Sequence, residues 1–325
     1  MIYRVAKPEV PVLWLDTHAI TALSTAYEQP DSEDPAIQTN RRLLDRLREL
    51  RRNGSIFIFE TDQMREIEVR SNLEDAARTV ISQLSLGVRS SYMNIQDNQI
   101  SKAMQASVDN ETDVELSFAS AFREDPFSQE QHGAVIIGAH FEPNRERITA
   151  HLQSSVEIAE KWEEIRQAAD RSIPADTSRR EQWDRELLAR QNVFRNAYAS
   201  LAVPENVDSY FNQLDSFSLP MMMWTRHSGQ RSPVALFEFY GSDFYTSLPS
   251  VNIFAGLAAH KVTGNERIKP SDIADLNNIS TVLPYCSHMV LDRAMIHAVG
   301  QLGFDQQYHV KLLRLNELID EFSEL

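Results

Sequence analysis

Residues 10–16 of the chain, VPVLWLD, and residues 288–292, HMVLD, are short apolar runs that each end in an aspartate. Continuous apolar runs of this length are typical of buried strands in a parallel sheet. Residues 17–27, THAITALSTAY, predict a helix directly after the first run. In an open α/β sheet, ligands bind outside the carboxyl ends of the strands. Asp16 and Asp292 are therefore predicted to lie at the ligand-binding edge of one sheet.

Strands and helices are predicted to alternate at both ends of the chain. Residues 36–52 have apolar side chains at helical spacing, Asn53-Gly54 is a helix stop signal, and residues 55–59 predict a second strand. Alternation resumes with PVALFEF at residues 233–239, which is predicted to be a strand. The remaining predictions are helices at residues 247–261, 271–282 and 293–299, a strand at 309–315 and a final helix from residue 316.

The middle of the chain has a different character, because it is long, polar and helical in pattern. Residues 148–169 and 180–201 contain neither glycine nor proline, and both have apolar residues at helical spacing. The predicted organisation is an α/β domain interrupted by a helical insertion. Its three segments are the first half at residues 1–90, the insertion at residues 91–232 and the second half at residues 233–325.

Composition excludes several classes of protein. The chain has 325 residues, 42% of them hydrophobic and 24% charged, which is an ordinary globular composition. The single cysteine, Cys286, excludes an internal disulfide framework and a multi-cysteine zinc site. No apolar run approaches the ~18 residues that span a bilayer, and the N-terminus lacks signal-peptide features, so no membrane partner and a cytoplasmic location are predicted. A net charge of −15 disfavours broad, non-specific duplex binding.

Further acidic residues follow or begin the elements next to these strands. Glu66 closes SIFIFETDQMRE, and Asp272 and Asp275 lie three residues apart in KPSDIADL, so that they share one helix face. Several carboxylates without a His or Cys cage suit Mg²⁺ or Mn²⁺, and such ions activate water and bridge phosphates in phosphodiester hydrolysis. The predicted chemistry is metal-dependent phosphodiester cleavage.

Each acid also has a structural alternative. Asp16 and Asp292 stand where an N-cap is favoured, and Asp272 with Asp275 resembles a capping box. Capping alone does not explain why the acids stand at the ends of strands predicted to be central. The alternatives to Glu66 as the second acid are Glu60, Asp62 and Glu68.

The pattern resembles that of PIN-domain (PIN-like) nucleases over roughly residues 9–90 and 233–325. In that family an apolar strand ends in Asp, as in VLWLDTH, and a Glu precedes an apolar residue after the second strand, as in Glu66-Ile67. The resemblance implies a three-layer α/β fold with a central parallel sheet of order 3-2-1-4-5 flanked by helices. It also implies a metal-dependent endoribonuclease. Carried over, the catalytic carboxylates are Asp16, Glu66, Asp275 and Asp292, and the Mg²⁺ or Mn²⁺ ligands are these four with Asp272.

The chain departs from that family at two positions. His18 stands where Asn is frequent, and Leu291 stands where Ser or Thr usually precedes the fourth acid. Leu291 removes a hydroxyl that would hydrogen-bond near the metal. The alternative function is therefore a PIN-like scaffold or partner-binding protein with little catalysis.

Other nuclease and enzyme classes rank lower. A structure-specific DNA nuclease also uses a cluster of acidic residues, but no glycine-rich duplex-binding hairpin motif is present in the chain. No P-loop, dinucleotide fingerprint, HExxH or GxSxG motif occurs in the chain. The predicted partner is an RNA substrate, with single-stranded RNA favoured. The helical insertion is a candidate site for a regulatory protein or for self-association.

Overall fold

The computed structural model describes residues 1–63, 67, 73–121, 145–169, 172–202 and 207–322. These residues divide into two compact units. The sheet unit contains residues 5–95, 117–154 and 281–325, and the helical unit contains residues 1–4, 96–116 and 155–280.

The described strands and helices follow one another in a mixed α/β order. The strands are β1 (Ile2–Ala6), β2 (Val12–Leu15), β3 (Phe57–Ile58), β4 (Asp113–Ser117), β5 (His288–Val290) and β6 (Lys311–Leu313). The helices are α1 (Thr17–Glu28), α2 (Pro35–Arg52), α3 (Glu74–Ser85), α4 (Tyr92–Asp109), α5 (Phe118–Ala121), α6 (Arg145–Ala168), α7 (Ala175–Ala202), α8 (Val207–Ser228), α9 (Pro233–Tyr240), α10 (Asp243–Thr246), α11 (Pro249–Thr263), α12 (Pro270–Val282), α13 (Arg293–Gln301), α14 (Phe304–Gln307) and α15 (Leu318–Glu321). Two 3₁₀ helices cover Leu283–Tyr285 and Leu315–Glu317.

A parallel sheet with the strand order β3-β2-β5-β6 forms the centre of the sheet unit. Strand β2 is buried along its whole length and pairs on both sides, with Leu13 opposite Ile58 of β3 and opposite His288 of β5. A strand that is covered on both faces requires a continuous apolar run, which is the pattern VLWL provides. The prediction that residues 10–16 and 288–292 form central parallel strands is confirmed.

The predicted 3-2-1-4-5 order has five strands, whereas this sheet contains four within the described residues. One isolated parallel bridge joins Glu60 to Arg89 beside β3. There the Glu60 amide donates to the Val88 carbonyl at 3.0 Å, and the Ser90 amide donates to the Glu60 carbonyl at 2.9 Å. The pairing stops after this bridge.

Helices α1, α2 and α3 cover the sheet with apolar side chains. In α2 the predicted stripe is confirmed, since Leu43, Leu44, Leu47 and Leu50 are each at most 1% exposed. Asp34 caps this helix by accepting from the Ala36 amide at 2.8 Å, and Pro35 occupies its first position. Gly54 has a φ of +75°, which is a conformation that ends helices and favours glycine.

Helix α11 is the central element of the helical unit, and most of its side chains are buried. Its Phe254 ring contacts Trp162 of α6, with ring centroids 5.9 Å apart, and lies under the Arg190 guanidinium of α7 at 3.6 Å. A second aromatic group joins α7 to α9, where the rings of Phe194 and Tyr240 stack at 5.4 Å. A helix that is apolar over most of its surface is buried in the core of its unit.

The predicted strand at residues 233–239 is wrong, because this segment is helix α9. Ser232 is its N-cap and accepts from the Ala235 amide, and Pro233 occupies its first position. Its buried residues, Leu236, Phe239 and Tyr240, have helical spacing. A seven-residue apolar run does not by itself distinguish a buried strand from a buried helix, and here the Ser-Pro start signal decides the outcome.

Two further differences concern organisation. Residues 233–280, predicted with the second half of the α/β domain, group with the helical unit. Strands β1 and β4, for which no sequence signal was found, pair in a separate two-stranded sheet. No described helix combines the length and apolarity needed to cross a membrane.

Candidate functional site

The carboxyl edge of the four-stranded sheet carries two of the predicted acids. Leu15 pairs with Val290 in the parallel register of β2 and β5, and the Asp16 amide donates to the Val290 carbonyl at 3.1 Å. Asp292 lies two residues beyond Val290 on the neighbouring strand. Because neighbouring strands are about 4.8 Å apart, Asp16 and Asp292 leave the same edge of the sheet side by side.

Both aspartates begin helices. Asp16 Oδ1 accepts from the Ala19 amide at 2.7 Å at the start of α1, and Asp292 Oδ1 accepts from the Met295 amide at 2.7 Å at the start of α13. These contacts hold each carboxylate in one orientation. Each carboxylate also lies at the positive end of a helix dipole. The N-cap role expected as the structural alternative for these residues is therefore present, and the capping contacts hold their carboxylates at the sheet edge.

A buried polar turn after β3 supports the backbone beside Asp16. Gln63 Nε2 donates to the Leu15 carbonyl at 3.0 Å, and Gln63 Oε1 accepts from the Thr61 amide at 2.6 Å. The indole of Trp14 donates to Thr61 Oγ1 at 3.2 Å. Sequence reasoning missed Thr61 and Gln63, although their position directly after a strand at the ligand-binding edge is a usable signal.

The alternatives for the second acid have different surroundings. Asp62 is buried, and its Oδ2 accepts from Ser91 Oγ and from the Tyr92 amide, both at 3.0 Å, at the start of α4. Glu60 forms an ion pair with Arg89 at 3.5 Å. Glu66 and Glu68 lie outside the described residues.

The third predicted acid group lies at the start of α12. Asp272 Oδ2 accepts from the Lys269 amide at 2.8 Å, and Asp272 Oδ1 pairs with Lys261 Nζ of α11 at 3.0 Å. Both side chains of this ion pair are shielded, with 13% of Asp272 and 14% of Lys261 exposed. Asp272 thus supplies half of a capping box, with Lys269 as its partner. Asp275 follows three residues later and is half-buried.

These acids form two pairs that belong to different units. Asp16 and Asp292 lie in the sheet unit, whereas Asp272 and Asp275 lie in the helical unit. Within the described ranges, no three His, Cys, Asp or Glu side chains are grouped so as to hold a metal ion. Two aspartates nevertheless fit Mg²⁺, because this ion is often held by one or two carboxylates with waters and substrate phosphates completing its shell.

Two polar residues close in sequence to the sheet-edge acids, His18 and Arg293, are exposed. His18 follows Asp16 by two positions, and Arg293 directly follows Asp292. His288 lies elsewhere, at the start of β5, where its Nδ1 contacts Ser287 Oγ at 3.0 Å and its Nε2 contacts Glu321 at 3.2 Å. Burial lowers the pKa of His288, so it is neutral at pH 7 and has a packing role.

Comparison with known proteins adds no relative to this description. No protein-family model, no curated protein and no solved structure matches the chain. The functional conclusion rests on the residues and their geometry.

Proposed function

We propose that this chain is a PIN-like, divalent-metal-dependent endoribonuclease that hydrolyses single-stranded RNA. The observation that carries the proposal is the placement of Asp16 and Asp292. They follow neighbouring central strands of a parallel sheet, and each begins a helix at the same edge. Ligand binding is expected at this edge in an open α/β sheet.

The strand order supports a PIN-like sheet. If β2 is taken as the first strand of that fold, the observed order β3-β2-β5-β6 corresponds to positions 2-1-4-5 of the expected 3-2-1-4-5 arrangement. Arg89 bridges Glu60 on the outer side of β3, where the third strand of the family stands. The short bridge is a reduced form of that strand in this proposal.

Asp16 and Asp292 are the proposed ligands of Mg²⁺ or Mn²⁺, and such an ion supplies an activated water and charge neutralisation at the phosphate. Capping bonds to Ala19 and Met295 keep both carboxylates oriented before the ion arrives. Gln63 anchors the Leu15 carbonyl and thereby the backbone at Asp16. Glu66 is proposed as a ligand or water-orienting base.

Asp272 has a different role in this proposal from the one its sequence position predicts. Both of its oxygens are engaged, one by Lys261 and the other by the Lys269 amide. Displacing these partners for a metal ion would leave the shielded Lys261 ammonium without its counter-charge. We therefore assign Asp272 to holding the start of α12.

The decisive experiment measures Mn²⁺-dependent cleavage of labelled single-stranded RNA by wild type, Asp16→Asn and Asp292→Asn. Asparagine is as good an N-cap as aspartate, so both variants keep their helices and lose only the charge. We expect cleavage to fall in each by more than the roughly 10–100-fold that the loss of a partner orienting a metal ligand costs. The matched control is Asp34→Asn, which changes the N-cap of α2 and should cleave like wild type.

The second candidate is a PIN-like scaffold whose helical unit binds a regulatory protein or a second copy. It is favoured by the observation that no group of three metal-ligating side chains occurs in the described part of the chain. Leu291, which stands where the PIN family usually has Ser or Thr, also favours the scaffold. Absence of cleavage by wild type, together with absence of Mn²⁺ binding in calorimetry, would refute the nuclease proposal in favour of the scaffold. Faster cleavage of single-stranded or branched DNA than of RNA would instead identify a DNA nuclease.

A further inference from the structure

A hydrogen bond joins α4 to α8, and each of its two residues has a cation next to it in the sequence. Ser101 Oγ of α4 and His227 Nε2 of α8 are 2.8 Å apart. Lys102 directly follows Ser101, and Arg226 directly precedes His227. Arg231 follows in the loop after α8. We name Lys102, Arg226 and Arg231, together with Ser101 and His227, the α4–α8 cationic surface.

The three cations of this surface are accessible. Lys102, Arg226 and Arg231 are all exposed, whereas Ser101 and His227 are half-buried. Within the described ranges, none of the three cations forms a salt bridge. Exposed ammonium and guanidinium groups without a carboxylate partner can meet an external anion with no internal ion pair to break.

Two charges of this surface, those of Lys102 and Arg226, act on His227. Burial lowers the pKa of His227 first, and the nearby Arg226 and Lys102 charges lower it further, while Asp109 opposes them. His227 is therefore neutral at pH 7 and hydrogen-bonds to Ser101 as a neutral imidazole. Lys102 and Arg226 come from different helices, so the tertiary fold places both near the same imidazole.

Helix-dipole compensation does not account for this arrangement. Arg226 and His227 stand in the last turn of α8, where basic residues are favourable. Lys102, however, lies in the interior of α4, and Arg231 lies beyond the end of α8. A dipole explanation covers only one of the three cations.

The arginine-rich helix α2 is the competing basic segment. Arg46 pairs with Glu49, and Arg48 pairs with Asp45. Its exposed arginines, Arg41, Arg42 and Arg52, all lie on this one helix, and Arg41 and Arg52 are about 16.5 Å apart along its axis at 1.5 Å per residue. Burial removes Arg51 from the surface, and its guanidinium lies 4.9 Å from the centre of the Phe57 ring.

We propose that the α4–α8 cationic surface binds the phosphate backbone of single-stranded nucleic acid. Lys102, Arg226 and Arg231 contact phosphates, and Ser101 with His227 supplies neutral hydrogen-bonding groups between them. In a chain with a net charge of −15, polyanion binding requires a local surface of this kind. Its role in holding the RNA substrate rests on the proposed function, whereas binding is measured without cleavage.

The test measures binding of fluorescent oligouridylate to the full chain carrying Asp16→Asn, in EDTA, between about 50 and 200 mM salt. Each phosphate contact on a single strand contributes about 0.7 to the slope of log K against log salt. The triple variant Lys102→Gln, Arg226→Gln, Arg231→Gln should therefore make this negative slope shallower by about 2. It should also weaken binding of all sequences alike. Arg226→Gln alone should make the slope shallower by about 0.7.

The matched control changes the same number of charges on α2, as Arg41→Gln, Arg42→Gln, Arg52→Gln. It should leave the slope near that of the parent, and circular dichroism should show all variants folded. Equal losses in both triple variants would attribute binding to net charge and overturn the proposal, as would no binding by the parent. A binding loss confined to the α4–α8 variant would support the surface, and absence of Mn²⁺-dependent cleavage by wild type would then refute only the nuclease.

Discussion

At the residue scale, capping and ion binding use different properties of the same aspartate. The caps at Asp16 and Asp292 are made through Oδ1, and a carboxylate has a second oxygen with its own lone pairs. Asparagine keeps the capping acceptor and removes the charge, so Asp→Asn separates the two roles. Asp272 differs because a shielded lysine and a backbone amide engage its two oxygens. Similar sequence positions therefore support different chemistry.

The lone cysteine gives a prediction at this scale. Cys286 is fully buried, and burial raises the pKa of its thiol although nearby Lys7 opposes the shift. Because the thiolate is the reactive form, we expect the native protein to react with Ellman's reagent more than about 100-fold slower than the unfolded chain. The absorbance of released thionitrobenzoate, followed with and without concentrated guanidinium chloride, measures both rates. Complete reaction of the native protein within seconds would contradict this expectation.

At the scale of elements, one carboxylate of α6 anchors the loop that leads into α12. Glu163 accepts from Arg166 Nη2 at 2.6 Å, from Gln167 Nε2 at 2.8 Å and from the Ile268 amide at 3.1 Å. Arg166 also donates to the Asn265 carbonyl at 3.3 Å. This network determines where α12 begins and so where Asp275 lies on it.

Glu163→Gln tests this anchor through its pH dependence. Hydrogen bonds from Arg166, from the Ile268 amide and from Gln167 hold the pKa of Glu163 well below its usual range. A carboxyl with a lowered folded-state pKa adds stability above its unfolded pKa of about 4.3, and this stability disappears as the pH falls through the folded value. We expect the variant to be less stable than wild type at pH 7, with the difference narrowing only below about pH 4.3.

Urea unfolding at a series of pH values measures that difference. Glu164→Gln is the matched control, since Glu164 is the exposed neighbour on the same helix, and it should unfold like wild type throughout. A stability difference for Glu163→Gln that is constant with pH would show that the anchor does not depend on charge.

At the scale of the whole molecule, the two units have separate hydrophobic cores. The core of the sheet unit includes Leu23, Leu47 and Leu84, and the core of the helical unit includes Phe239 and Val251. Separate cores allow local and subglobal opening with different free energies. A large-to-small substitution should then weaken mainly the unit that contains it.

Native-state hydrogen exchange tests this independence with Leu23→Ala and Phe239→Ala. Removing a buried leucine costs about 2–5 kcal/mol, and removing a buried phenylalanine costs about 3–5 kcal/mol. We expect Leu23→Ala to accelerate exchange mainly in α1–α3, and Phe239→Ala mainly in α7–α11. Mass spectrometry of peptides from each unit provides the comparison. Equal acceleration throughout the chain by either variant would instead show a single cooperative unit.

Local patterns predicted the elements of the sheet unit well. The runs ending in Asp16 and Asp292 predicted their strands, and the leucine spacing of residues 36–52 predicted α2. These signals are short-range, because the spacing of buried residues and the capping contacts each involve residues only a few positions apart. They fail where a short apolar run suits two kinds of element, as in α9.

The sequence by itself determined the mixed α/β class, the central strands and the start of a helix at each of Asp16 and Asp292. Only the tertiary structure decided that residues 233–280 pack in the helical unit and that β1 pairs with β4. It also brought Ser101 to His227, which is 126 residues further along the chain, and Lys261 to Asp272. The physical reason is that periodicity and caps are local properties of the chain. Pairing across long separations depends instead on which surfaces bury each other in the folded molecule.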